Sequence, residues 1–172
     1  MAVEKLILAV DLGTSGVKVA LISVNGRVLG WENQPVPLII TPDGGAEQDP
    51  QEWWSAFMAA SFRLMKKSKA NAQQVKALCC STQGEGTLPV DHDGKPLCNC
   101  ILWMDMRGAA NLKRQLKGIL NIDGAALAKV LRCIRLTGGM PSMTGKDPAG
   151  HMLYIRDEMP EIYDRTYKFL NV

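Results

Sequence analysis

The chain has almost no charge imbalance. Its 172 residues hold 20 Lys and Arg against 17 Asp and Glu, a formal net charge of +3. That surplus is too small for phosphate-driven binding of nucleic acid. The cluster Lys66, Lys67 and Lys69 reads as favourable charge at a helix C-terminus. No apolar run approaches the roughly 18 residues that a membrane span needs. The N-terminus shows no basic region followed by an apolar stretch and a small-residue cleavage site. Five cysteines, at 79, 80, 98, 100 and 133, are an odd number without a CxxC pair. That spacing supports neither a disulfide framework nor a zinc site. Cys79 and Cys80 lie in an apolar run and are expected as buried free thiols. His92 and His151 have no metal-ligating company, and no internal repeat is visible. These absences predict a cytoplasmic protein with neither nucleic acid nor membrane among its partners.

What is present is an ordinary globular composition, 47% apolar and 22% charged residues, in a chain long enough to bury a core. Strands are predicted over 5–11, 17–23 and 27–36, with Asn25-Gly26 as a type I′ hairpin turn between the last two. A Pro- and Gly-rich loop at 42–49 closes this antiparallel meander. Asp49 reads as an N-cap with Pro50 at the first helical position, and the helix runs to about Lys67. Trp53, Trp54, Phe57, Met58, Ser61, Leu64 and Met65 fall on it at helical spacing.

A buried strand is expected over 75–81, then extended stretches near 87–91 and 97–103 around a turn at 92–94. A helix follows Trp103-Met104-Asp105 through Leu112, Leu116 and Ile119, and another covers 125–134. A loop at 137–146 leads to a helix from Pro148 to Glu158, a short helix from Pro160 and a final strand at 167–172. This order predicts a mixed α/β layer architecture.

The stretch AVDLGTSGVKVALIS at 9–23 puts a Gly- and hydroxyl-rich turn between two strands. Gly13 and Gly16 let backbone N–H groups approach an anion, and Thr14 and Ser15 add hydroxyl donors. Asp11 is placed to hold a hydrated Mg²⁺ facing that anion, since magnesium needs only one or two carboxylates beside phosphate oxygens. Lys18 points to one face of the second strand or the other, and its role is open at this point. A Walker A loop is excluded, because GxxxxGK[ST] must run into a helix and Gly13 to Lys18 runs into a strand. The competing reading is a tight hairpin whose Asp and Thr satisfy its own backbone.

DLGTSGVKVALIS resembles the first phosphate-binding hairpin of the sugar kinase/actin/Hsp70 superfamily, and most closely that of the FGGY carbohydrate kinases. Further matches follow in order. EQDPQEWW (47–54) resembles the family's EQDP-x-x-WW segment, STQGEGTLPVDHDGKPL (81–97) its substrate loop between strands, and ILWMDMRG (101–108) a xylulokinase-like ILWNDxR stretch. The resemblance implies a ribonuclease H-like N-terminal domain, a mixed sheet flanked by helices. It implies ATP and Mg²⁺ as cofactors, and transfer of the γ-phosphoryl group to a hydroxyl of a sugar or polyol. Asp11 would serve the metal and the phosphates, and Gly13, Thr14 and Ser15 would border the γ-phosphate. Gln83, Glu85, Trp103 and Asp105 would bind the substrate.

The match departs from its relatives at the substrate loop. Gln83-Gly84-Glu85-Gly86 is neither the Gln-Met-His-Gly of xylulokinases nor the Gln-Arg-Glu-Thr of glycerol kinases, and Met104 stands where Asn is commoner. Near 148–155 only a weak echo of the xylulokinase Pro-Lys-Leu-Leu-Trp remains, in Ala149 to Tyr154. Arg107 is equally suited to pairing with Asp105 at the helix start. The family's catalytic aspartate, second phosphate loop and adenosine pocket are expected beyond Val172. Residues 1–172 are thus expected to be an incomplete N-terminal domain lacking the C-terminal ATPase domain, without a catalytic base and inactive alone. Two other readings stand beside the kinase. One is a nucleotide-binding switch that performs no chemistry. The other is a sugar-binding remnant that covers its exposed apolar face by pairing as a homodimer.

Overall fold

Alternating apolar residues over 6–13 and 16–23 build a hairpin with one buried face. In the computed structural model, which describes residues 4–118, 121–122, 125–139 and 142–172, β1 (Leu6–Gly13) and β2 (Gly16–Ser23) pair antiparallel from Leu6↔Ser23 to Gly13↔Gly16. Leu6, Leu8 and Val10 of β1 and Val17, Val19 and Leu21 of β2 are buried, the period of two that a pleated strand imposes. β3 (Val28–Pro35) continues the meander.

The turn into β3 differs from the expected type I′. Gly26 takes φ 84°, but Asn25 does not adopt positive φ, and the β2–β3 register shifts between Leu21 and Ile22. Only glycine enters the left-handed region without a steric cost, and a bulge absorbs the remaining twist. The expected loop at 42–49 also contains more structure than its composition indicated. β4 (Ile39–Ile40) and β5 (Ala46–Gln48) form a small hairpin, closed by Thr41 N–H donating to the Gly45 carbonyl at 2.9 Å.

Two compact units divide the chain, the first containing Met1–Leu38 and Gln48–Gln83, the second Ile39–Glu47 and Gly84–Val172. In the first, α1 (Pro50–Ser68) starts where expected: the Asp49 carboxylate accepts from Gln51 N–H at 2.8 Å and Pro50 occupies the first turn. It ends at Lys69 in the left-handed region, with Lys66 and Lys67 in the last turn. Trp53, Ala56, Ala60 and Leu64 are its buried residues, and the helix packs on β2 and β3. Trp54 stays exposed.

β6 (Val75–Thr82) then returns parallel to β1, giving the sheet order β3-β2-β1-β6. The expectation of a buried β6 fails. Most of the strand is exposed, including Cys79 and Cys80, because α1 covers β2 and β3 and leaves β6 at the sheet's edge. An apolar groove of about 310 Å³ remains beside the helix, lined by Val10, Leu12, Trp53, Phe57, Leu78 and Cys80.

The second unit adds β7 (Thr87–Val90), β8 (Cys100–Ile101), α2 (Ala109–Leu116), β9 (Asn121–Ile122) and β10 (Ala125–Ala126). α3 (Leu127–Thr137), α4 (Pro148–Glu158), α5 (Pro160–Tyr163) and β11 (Lys168–Asn171) complete it. Its main sheet runs β11-β7-β8-β5-β4. β7 is buried throughout, and the final strand pairs antiparallel with it, Lys168↔Val90 to Asn171↔Thr87. α4 has the predicted bounds. α2 stops at Leu116, where Lys117 leaves the helical region, and Ile119 lies outside the described residues. α3 begins after the expected start, because Ala125 and Ala126 pair with Ile122 and Asn121 instead. The starts of α2 and α4 meet backbone to backbone: a Cβ on Gly108 would fall 2.4 Å from the Gly150 carbonyl carbon. No helix among the described residues is long and apolar enough to cross a membrane.

Candidate functional site

The β1–β2 turn has one glycine required by packing and one that is not. A Cβ on Gly16 would lie 2.5 Å from the Gln34 carbonyl oxygen and 3.0 Å from Pro35 Cα, so β3 itself demands glycine there. A Cβ on Gly13 would meet nothing closer than the Gly16 carbonyl oxygen at 3.4 Å and Lys18 Nζ at 3.7 Å. Gly13 therefore keeps open space over the turn.

Lys18 shares a face with Asp11, its cross-strand partner. The ammonium lies 3.0 Å from Asp11 Oδ2, and both side chains are about half exposed, 54% and 49%. Trp31, Cys79 and Ser81 join them around an opening of about 420 Å³. Turn amides, two hydroxyls, an open glycine and a lysine fit an anionic phosphate chain. Asp11 brings a single carboxylate, and no group of three or more metal-ligating side chains exists among the described residues. That suits Mg²⁺, which keeps most of its waters, and does not suit a metal caged by protein.

Thr14, Gln48 and Gln83 close a ring of hydrogen bonds within the first unit. The Thr14 hydroxyl donates to Gln83 Oε1 at 2.6 Å. Gln83 Nε2 donates to Gln48 Oε1 at 3.2 Å, and Gln48 Nε2 donates to the Thr14 carbonyl at 2.8 Å. Gln48 is fully buried and also donates to the Pro37 carbonyl at 3.2 Å and accepts from Trp53 Nε1 at 3.2 Å. Both donors and both acceptor positions of its amide are thus used. The ring ties the glycine turn to the end of β6, where the candidate substrate loop begins.

The remaining candidates belong to the second unit. Gly84 and Glu85 both adopt positive φ, 75° and 53°, a conformation a glutamate side chain takes at a cost. Glu85 is exposed, and Trp103 is 42% exposed. Asp105 is fully buried, and its carboxylate oxygens are engaged. Oδ2 accepts from Ala46 N–H at 2.9 Å and Arg107 Nη2 at 2.7 Å, and Oδ1 from Arg107 N–H at 2.9 Å.

Arg107 also donates to Glu47 Oε1 at 2.5 Å and stacks on the Tyr154 ring at 4.7 Å. Burial opposes its charge, yet the hydrogen bonds it donates to Asp105 and Glu47 hold its pKa above the usual guanidinium value. His151 is fully buried beside this network, its Nδ1 3.0 Å from Thr87 Oγ1. Burial lowers its pKa, against the pull of Asp105 and Asp147 and together with Arg107. His92 instead stacks on Tyr167 with ring centroids 4.1 Å apart.

Sequence reasoning passed over Glu47 and Gln48 as separate parts. The signal was a Glu-Gln pair directly ahead of a helix cap, in a strand where an alternating pattern sends neighbours to opposite sides. Glu47 secures Arg107, Gln48 secures Thr14 and Gln83, Asp49 caps α1 and Pro50 starts it.

A β1–β2–β3 meander joined through α1 to a parallel β6, with a glycine turn at the strand end, places this chain in the ribonuclease H-like class that actin, Hsp70 and sugar kinases share. Residues 6–172 match the FGGY family of carbohydrate kinases, N-terminal domain, and the chain belongs to that family. It is 29% identical over 167 residues to a xylulose kinase of Bacillus subtilis, covering 96% of this chain and 31% of that protein. Over 102 residues it is 35% identical to a glycerol kinase of a Marinomonas species, covering 59% of this chain and 21% of that one. The solved structure of a ligand-bound xylulose kinase from Lactobacillus acidophilus superposes with a TM-score of 0.78 at 26% identity, over 96% of this chain and 31% of that chain. The 172 residues therefore span about a third of the length of these xylulose kinases.

Proposed function

We propose that the whole protein transfers the γ-phosphoryl group of ATP to a hydroxyl of a sugar or polyol, with this chain supplying the first phosphate loop and part of the substrate site. The observation that carries this reading is the direct bond from the Thr14 hydroxyl to Gln83, which sets a phosphate-type turn against a loop of polyol-binding residue types. ATP supplies the phosphoryl group and Mg²⁺ neutralises charge on it, so the protein's task is alignment and electrostatics. Gly13, Thr14 and Ser15 border the phosphates with Lys18 beside them, and Asp11 holds the hydrated metal by exchanging its lysine contact for it. Gln83 and Glu85 take substrate hydroxyls, and Trp103 offers its ring to sugar C–H groups. Asp105 contributes by fixing Arg107 and the strand end at Ala46, and reaches substrate only if Arg107 yields an oxygen.

Relatives named for xylulose and for glycerol support an acceptor of the small sugar or polyol class. The base that accepts the hydroxyl proton comes from sequence outside these residues, so residues 1–172 alone turn over no ATP.

The test is ADP release by the whole protein with ATP, Mg²⁺ and a panel containing D-xylulose, L-xylulose, gluconate and glycerol. Release that depends on one of these acceptors is expected, and Gln83→Ala or Glu85→Ala should weaken that acceptor's binding. Release equal to the acceptor-free background across such compounds would remove the reading.

A further inference from the structure

We infer that the Thr14–Gln83–Gln48 ring makes phosphate binding and polyol binding mutually dependent, with Gln48 as the positioning residue. The inference rests on the kinase reading above. A threonine hydroxyl has one proton to give, and here it goes to Gln83 Oε1 at 2.6 Å. A phosphate oxygen seated on the turn competes for that same proton. When the hydroxyl rotates to the phosphate, Gln83 Oε1 loses its donor and gains by accepting from a substrate O–H, since an unsatisfied half-buried carbonyl is costly. The exchange runs equally in reverse: a polyol hydroxyl on Gln83 Oε1 releases the Thr14 proton for phosphate. Each ligand thus removes a cost from the other's binding, and the coupling is reciprocal by necessity.

The device works only if the Gln83 amide is fixed one way round. Gln48 does that, because its Oε1 accepts from Gln83 Nε2 at 3.2 Å and so aims the Gln83 oxygen at Thr14. Gln48 cannot turn over in compensation. Its own Nε2 is held by the Thr14 and Pro37 carbonyls and its Oε1 by Trp53 Nε1 as well. It is buried, behind the turn and the loop end that would touch the ligands, and acts through the other two residues.

The test is calorimetric titration of the whole protein with an acceptor shown to be phosphorylated, with and without the β,γ-methylene analogue of ATP and Mg²⁺. Wild type is expected to bind the acceptor at least about fivefold more tightly with the analogue present, the low end of measured coupling between sites. Thr14→Val, which keeps shape and loses the hydroxyl, should reduce that factor to near one, and Thr14→Ser should preserve it. Gln48→Met should also reduce it, while binding of each ligand alone stays within a few fold. A general loss of structure would instead weaken both ligands and leave their ratio alone. A wild-type factor of one, or an unchanged factor in Thr14→Val, overturns the inference while transfer to the acceptor keeps the kinase reading intact. Absence of any transfer removes that reading first. If Gln48→Met does not fold, the Thr14 pair decides.

Discussion

Arg107 grips Asp105 through three of its nitrogens. Nη2 lies 2.7 Å and Nε 3.0 Å from Oδ2, and the Arg107 backbone N–H lies 2.9 Å from Oδ1. Only 1% of the Asp105 side chain and 10% of the Arg107 side chain reach solvent. Removing one partner of such a pair leaves a buried charge uncompensated, at about 3–5 kcal/mol. Arg107→Ala should therefore lower the thermal midpoint sharply. Arg107→Lys should recover only part of the loss, since an ammonium cannot reproduce the fork. A calorimetric scan in which Arg107→Ala melts with wild type would refute this account.

The two glycines of the turn should part company on mutation. Gly13→Ala meets no close atom, so it should leave stability unchanged or raise it by about 0.4–1 kcal/mol through the unfolded chain. It should nevertheless weaken nucleotide binding, because the methyl group occupies the phosphate's space. Gly16→Ala drives a Cβ to 2.5 Å from the Gln34 oxygen and should cost about 1–3 kcal/mol or more. Denaturant melts paired with nucleotide titrations check both. Normal affinity in Gly13→Ala would count against the turn as the phosphate seat.

His151 sets an acid limit on stability. Its pKa in the folded protein is lowered from 6.5, chiefly by burial, so the unfolded chain binds the proton more readily. The stabilising contribution is complete above 6.5 and is lost as pH falls below it toward the folded value. Thermal midpoints taken from pH 7 down to pH 5 should fall more steeply in wild type than in His151→Gln. Parallel curves would show that the imidazole stays uncharged in both states or is not buried in solution.

Thiol chemistry offers a check on the interior of the second unit. Burial pushes the Cys98 thiol up to about 11 and the Cys100 thiol to about 12, so neither forms appreciable thiolate at pH 8. Mass spectrometry after brief iodoacetamide treatment should find both unmodified in the native protein, and all five cysteines of the chain modified after unfolding. Fast native labelling at position 98 or 100 would contradict the packing around β8.

The parts of the fold that local chemistry dictates were legible in the sequence. Alternation gave β1 and β2, and Asp49-Pro50 gave the start of α1, because a cap and a proline act within one turn. What could not be read is what depends on the layers above. β6 has the apolar composition of a core strand, yet Cys79 and Cys80 are exposed, since composition records what a strand can bury and not what covers it. Asn25-Gly26 favours a type I′ turn, but the register shift at Leu21/Ile22 relieved the twist another way. At the site, Asp11 to Ser15 stood out as a motif. Gln48 did not, because a buried glutamine is recognised by its partners, and those lie 34 and 35 positions away.

That separation bears on how the chain folds. The β1–β2–β3 meander closes over short loops, whereas β6 can join β1 only after the whole of α1 has been threaded between them. Loop-closure entropy makes such long-range pairing the slower step. The bond from Thr14 to Gln83 spans 69 residues and must wait for that pairing. The first unit can hold a formed glycine turn before the Thr14–Gln83 bond exists, so the proposed coupling between the two ligands would arrive only with its last strand.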